Sequence, residues 1–153
     1  MADVSTLTSR FYRPSWVTLR KTLTFTGAAG LGAVGAVPLF TTTGKILIVS
    51  LSAKCTLSLT ENPVPGGATL LLGVTGDTNL FIAQTTALDL NTGTFWVDAT
   101  PTLYGIALPA ALKDILIDQN IIATVGVSAI DGGTVEFVVR WMAESVDGKL
   151  VAA

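Results

Sequence analysis

The chain has 153 residues, enough for one domain with a sizeable core, and only 13% of them are charged, about half the usual share. Half are apolar and the mean hydropathy is +0.62, so either most of the chain is interior or part of its surface is covered by partners, as in obligate assemblies. Histidine is absent and Cys55 is the single cysteine, which excludes a Ser-His-Asp or Cys-His catalytic arrangement, an intramolecular disulfide and a Cys/His zinc site.

The net charge of −2 conceals an uneven distribution. Residues 1–60 carry six basic side chains against Asp3, and residues 61–153 carry three against ten acidic ones. Such polarity suits head-to-tail contacts between copies or docking on an acidic partner, unless the fold interleaves the two portions. No basic start followed by an apolar run and a small-residue cleavage site opens the chain, so synthesis in a cytoplasm without a secretory leader is expected.

Residues 1–16 read as an N-terminal arm and 17–153 as the folded body. The arm contains Arg10-Phe11-Tyr12-Arg13-Pro-Ser-Trp16. Arginines among aromatics can stack on bases and neutralise phosphates, but one short cluster on an acidic protein points instead to a docking arm, and no nucleic-acid partner is expected. Arg10, Phe11, Tyr12, Arg13 and Trp16 are therefore candidate partner-binding residues.

From Val17 the pattern alternates, with Val17, Leu19, Leu23 and Phe25 on one face and Thr18, Arg20, Thr22, Thr24 and Thr26 on the other, which predicts a half-buried strand. Gly27–Phe40 follows, inside a charge-free interval from Lys21 to Lys45. Gly30-Leu-Gly32-Ala-Val-Gly35 fits the G-x-G-x-x-G pattern of dinucleotide sites, but Pro38 would sit in the first turns of the required helix. No carboxylate follows at the spacing needed for a ribose hydroxyl. The apolar run is too short and too rich in Gly and Pro to span a bilayer, so neither a cofactor nor a membrane partner is expected. The stretch reads as a loop that becomes ordered against a neighbouring subunit, with Leu31, Val34, Val37, Leu39 and Phe40 as candidate partner-binding residues, and with Ala36–Thr42 as a second, shorter strand.

Ile46–Thr60 is the clearest strand, with Leu47, Val49, Leu51, Ala53, Cys55, Leu57 and Leu59 on one face. Its length predicts a bend or bulge, and Cys55 falls on the apolar face as a small core residue. Asn62–Gly67 is a loop by composition, and Ala68–Val74 with Asn79–Thr85 forms a hairpin through Thr75–Thr78. Asn91-Thr-Gly93 predicts a turn and Phe95–Asp98 a short strand, while Trp96 and Tyr104 suit a core or an interface better than a ligand groove. Pro109–Leu116 predicts a two-turn helix with Pro in first position. Ile121–Ala129 and Thr134–Ala143 predict a hairpin turning at Asp131-Gly-Gly133, and Asp147–Ala153 a peripheral tail.

About eight strands and one small helix predict an all-β sandwich, for which jelly-roll connections are one arrangement. Glu61, Asp77, Asp89, Asp98, Asp131, Glu136 and Glu144 supply carboxylates, but most stand at turns and none in a catalytic motif, so no enzymatic activity is expected. Asp77-Thr-Asn79 and Asp89-Leu-Asn91 space oxygen donors as some cation loops do, yet neither completes such a loop. They read as Asx turns, and no metal site is expected.

The combination of Lys21-Thr-Leu-Thr-Phe-Thr-Gly-Ala-Ala-Gly-Leu-Gly-Ala-Val-Gly35, Phe40-Thr-Thr-Thr-Gly-Lys-Ile-Leu-Ile48, Phe95-Trp-Val-Asp-Ala-Thr-Pro101 and Asp147-Gly-Lys-Leu-Val-Ala-Ala153 resembles small virion structural proteins of tailed bacteriophages. The resemblance covers residues 20–153, leaves the arm outside, and carries no catalytic residues. It implies a copy-rich component of the virion, of the capsid decoration or cement type. Such proteins use β-rich, often trimeric bodies and an arm or loop that grips the major capsid protein. The implied partners are the major capsid protein and copies of the chain itself. A tail, collar or fibre-associated adsorption module is the competing expectation.

Overall fold

The computed structural model describes residues 16–153, which form nine strands: β1 (Val17–Thr24), β2 (Gly35–Thr43), β3 (Ile46–Asn62), β4 (Thr69–Val74), β5 (Asp77–Thr86), β6 (Lys113–Ile117), β7 (Ile121–Gly126), β8 (Ala129–Ala143) and β9 (Lys149–Ala152). One sheet has the order β1-β8-β3-β6 and the other β5-β4-β7-β2-β9, with every pairing antiparallel. The orders 1-8-3-6 and 5-4-7-2 are the two interlocked four-stranded sheets of a jelly roll, to which β9 adds a fifth strand beside β2. The expected β-sandwich is thus the observed fold. Between the sheets lies one apolar core whose largest wholly buried side chains include Trp96, Phe25, Phe40 and Phe137.

Threonine-rich alternation builds β1, with Leu23 and Phe25 buried and Thr22, Thr24 and Thr26 facing solvent, but Val17, expected on the inward face, is exposed and Leu19 is half-buried. In β3 the alternation changes phase. Ile46 and Ile48 point inward before Val49, and Leu51, Ala53 and Cys55 after it, because the pairing with β8 slips by one residue between Ile48 and Ser50. A bulge inserts one unpaired residue and so reverses which face later side chains occupy. Leu47 and Val49 are therefore not on the core face, and Leu57, beside a second slip, is exposed.

Four sequence expectations are corrected. Pro109–Leu116 is not a helix: a single 3-10 turn at Ala110–Leu112 leads into β6, whose Ile115, Leu116 and Ile117 pair with Ile48, Leu47 and Ile46. The open edge of β3 offers a ladder there, and that tertiary pairing outweighs a local preference of a few tenths of a kcal/mol per residue, ~0.5 at most sites. Asp131-Gly-Gly133 is not a turn, since it lies inside β8, and β7 and β8 belong to different sheets joined by residues 127–128. Gly133 is needed because a Cβ there would lie 2.6 Å from the Ser58 carbonyl oxygen. Phe95–Asp98 is not a regular strand, and only Phe95 bridges, to Lys54 and Thr102. The tail is not peripheral either: β9 pairs with β2, and Leu150 is buried.

The uneven distribution of charge along the chain is largely removed by folding. Basic β1 lies against β8, where Arg20 Nη1 meets Glu136 Oε1 at 3.1 Å, and Lys54 of β3 faces Glu136 in register from the other side. Among the described residues the fold interleaves the two portions where β1 and β3 flank β8.

Candidate interaction surface at the loop end of the sandwich

The antiparallel pairings place the connections 25–34, 63–68, 87–112 and 127–128 at one end of the sandwich and 44–45, 75–76, 118–120 and 144–148 at the other. The first three short ones of the loop end, 25–34, 63–68 and 127–128, contain no charged residue. They also interlock. Ile130 donates its amide to the Gly32 carbonyl at 2.8 Å, Ser128 Oγ donates to the Asn62 carbonyl at 3.2 Å, and Gly66 approaches Ser128 so closely that a Cβ would collide with its hydroxyl oxygen. Gly32 adopts φ +123° and is buried, and a Cβ there would collide with the Ile130 carbonyl oxygen. Close backbone approach, rather than a bound nucleotide, is what these glycines provide.

Glu61 anchors the second of these loops. It continues the inward phase of Leu59, and its carboxylate accepts the Gly66 amide at 2.7 Å on one oxygen and the Ala68 amide at 2.6 Å on the other. These backbone donors hold its pKa below the ordinary carboxylate value. Extending the alternation of β3 two residues past Leu59 is the sequence signal that identifies Glu61 as inward-facing.

Interlocked in this way, the loop end presents Leu31, Val34, Val64 and Val127 to solvent, all exposed. Val127 is 74% exposed and has φ +68°. A β-branched residue in the left-handed region is strained by roughly 1–2 kcal/mol, and no burial of its own side chain within the chain offsets that cost. Strain and exposure coincide again at Tyr104, φ +73° and 97% exposed, in the long connection 87–112. Backbone strain of this kind concentrates at functional positions.

Of the candidate partner-binding residues, Leu31 and Val34 lie together on this end. Val37, Leu39 and Phe40 do not: Val37 and Leu39 on the inward phase of β2, and Phe40 beyond the register slip after Pro38, are buried in the chain's own core and cannot contact a partner while the sandwich is folded. Trp16 is exposed at the start of β1, at the opposite end, and Arg10, Phe11, Tyr12 and Arg13 lie outside the described residues. Val64 and Val127 are surface features that composition did not single out, because isolated valines between strands carry no pattern; of the two aromatics assigned to a core or an interface, Trp96 is buried and Tyr104 is exposed.

The potential reactive groups are accounted for structurally. Cys55 is wholly buried, donates from Sγ to the Leu57 carbonyl at 3.1 Å, and burial pushes its thiol pKa up, which suppresses the thiolate. Trp96 is likewise core, with Nε1 donating to Thr85 Oγ1 at 2.9 Å and its ring edge-on to Phe137 at 6.2 Å. Asn91 donates its side-chain amide to the Asp89 carbonyl at 3.3 Å, closing a local turn. Among the described residues no group of three His, Cys, Asp or Glu side chains could hold a metal ion, and no helix is long and apolar enough to cross a membrane. Comparison of the chain with protein-family models, with curated proteins and with solved structures yields no significant match.

Proposed function

We propose that this protein is a bacteriophage virion structural protein of the capsid decoration or cement type, which docks on the major capsid shell through the loop end of its sandwich. The observation that carries the reading is the set of three uncharged, interlocked loops at that end, 25–34, 63–68 and 127–128, with Leu31, Val34, Val64 and Val127 outward. Burying apolar surface stabilises a contact by about 25 cal/mol per Å², less the cost of ordering, and preordered loops keep that cost small. The sequence resemblance to small phage virion proteins supports the reading, as does a jelly-roll order that recurs in viral capsid domains.

The same order also occurs in lectin domains, which favours as a second reading a tail, collar or fibre-associated adsorption module. Quantitative densitometry of purified particles separates the two, because a shell component is present in hundreds of copies and a tail module in a small multiple of three or six. Replacing Leu31, Val34 and Val127 together by Asp should abolish attachment to the shell while circular dichroism of the free protein stays unchanged. Undiminished attachment refutes the surface, and absence from particles refutes the function.

A further inference from the structure

The outer face of the four-stranded sheet carries an apolar row near the turn end. Met142, Leu47 and Leu116 lie side by side on β8, β3 and β6, because Leu47 pairs with both of the others. Trp16 stands at the β1 end of that row, one residue before the Val17–Trp141 pair. Trp16 is 47% and Leu116 59% exposed, and Leu47 and Met142 are half-buried, whereas Ile46, Ile48 and Trp141 on the alternate phase are in the core. Trp and Met are side chains enriched where proteins meet.

Charges flank this row in opposite sense on its two sides. Toward the loop end the next outward row is Arg140, Ser50 and Lys113, with Thr18 beside Arg140. Toward the turn end, two residues beyond Met142 and Leu116, stand Glu144 and Asp118, with Lys45 between them. Arg140, Lys113, Glu144 and Asp118 are all exposed. Nearer the loop end the face neutralises itself, Arg20 meeting Glu136 at 3.1 Å, and among the described residues the other four make no ion pair.

Both β8 and β6 therefore hold a cation on one side of the apolar row and a carboxylate on the other. A half-turn about an axis along the row, between two facing sheets, exchanges those sides strand by strand. It lays Arg140 over Glu144 of a second copy and Lys113 over Asp118 of a second copy, each contact occurring twice. The apolar row then meets itself, and Ser50 meets Lys45. This self-complementarity of charge selects a second copy of the chain as the occupant.

We propose that the turn-end half of the four-stranded sheet is an isologous interface through which two copies pair face to face about a two-fold axis. Three rows on four strands cover roughly 19 by 20 Å, or about 400 Å² of each face. That is about half of what each partner buries in a stable complex, so the pairing is weak and reversible, with its register set by the charges. It leaves the loop end free and does not require a shell.

Sedimentation equilibrium of the full chain from about 10 µM to 1 mM, a span that brackets weak association, tests the pairing. The wild-type chain is expected to reach dimers and nothing larger, and to associate less at about 0.5 M salt than at about 0.05 M, where the charges are less screened. Arg140→Glu and Glu144→Arg should each weaken association by about tenfold or more, since each sets like charges opposite one another. An equimolar mixture of the two variants restores both contacts in the mixed dimer, and should associate about tenfold or more tighter than either variant alone. Lys113→Glu with Asp118→Lys repeats the test on β6 should a member of the first pair fail to fold. A wild-type chain that stays monomeric at about 1 mM, species larger than the dimer, variants that associate like wild type, or a mixture no tighter than its components overturns the proposal. None of these results involves a capsid, so failure here is distinguishable from failure of the decoration reading.

Discussion

The two ends of the sandwich are built from the same strands and differ in almost every other respect. At the turn end, connections such as Thr75-Gly76 and Gly44-Lys45 are short, and they include Lys45, Asp118, Glu144 and Asp147, with Val146 the one large apolar side chain exposed in them. At the loop end the connections interlock through glycines and hold a buried carboxylate, and those at 25–34, 63–68 and 127–128 lack charge and display four apolar side chains. The difference teaches where the chain spends its special conformations. Charged short turns close hairpins and stay in water. The loop end orders backbone against backbone while leaving Val34 and Val127 outside, and the proposed docking rests on that arrangement.

Glycine substitution is the largest way to break this contrast. Gly32→Ala should cost about 3 kcal/mol or more, because its Cβ has no space beneath the Ile130 carbonyl and its φ is +123°. Gly76→Ala at the turn end has nothing near its Cβ, so positive φ alone acts and about 1 kcal/mol is expected. Urea midpoints at constant m-value measure both, and equal losses would show that the two ends are equally tight.

Trp96 pins the long connection 87–112 to the core, so removing its acceptor probes whether that loop is held as firmly as its neighbours. Thr85→Val leaves the buried indole N–H without its 2.9 Å partner and should cost about 2 kcal/mol. A loss under about 0.5 kcal/mol, below the usual worth of such a bond, would mean the indole finds another acceptor.

Glu61 gives the loop end a pH dependence. Its folded pKa lies below the ordinary value of 4.5, so its contribution is complete above that pH and is lost as the pH falls toward the folded value. Glu61→Gln should be less stable than wild type at pH 7, with the gap narrowing as the solution is acidified below 4.5. Parallel melting curves across that range would contradict the assignment.

The smallest stability change is expected where the functional change is largest. Val127→Gly removes the strain of φ +68° and an exposed side chain, so folding stability should move by less than about 1 kcal/mol. Shell attachment should nevertheless weaken. A strong destabilisation would show that Val127 serves the fold and not a partner.

Much of the sandwich was legible in residue order, and its failures share one cause. Alternation in 17–25 and 46–60 revealed strands because a half-buried strand writes its two faces into a period of two. It could not reveal that β3 changes phase at Val49, since a bulge is a matter of pairing with β8. Pro109-Ala-Ala-Leu reads locally as a helix start, and Asp131-Gly-Gly133 as a hairpin turn. Each is overruled by β3, which pairs with β6 in the first case and crowds against Gly133 in the second. The stretch Gly27–Phe40 reads as partner-binding, and of its five candidates only Leu31 and Val34 are exposed. Val37, Leu39 and Phe40 were drawn into it only because their inward phase in β2 depends on which side the second sheet lies.

By itself, then, the sequence determined the all-β class, the buried thiol of Cys55, the outward threonine faces and the apolar, uncharged character of the loop at 25–34. Each of these follows from side-chain chemistry and near-neighbour periodicity. Tertiary structure alone decided the jelly-roll order, the phase of β3, the capture of the tail as β9, and the gathering of Leu31, Val34, Val64 and Val127 on one end. Those outcomes rest on pairings between residues distant in the chain, and the free energy of such a pairing belongs to both partners and is written in neither segment.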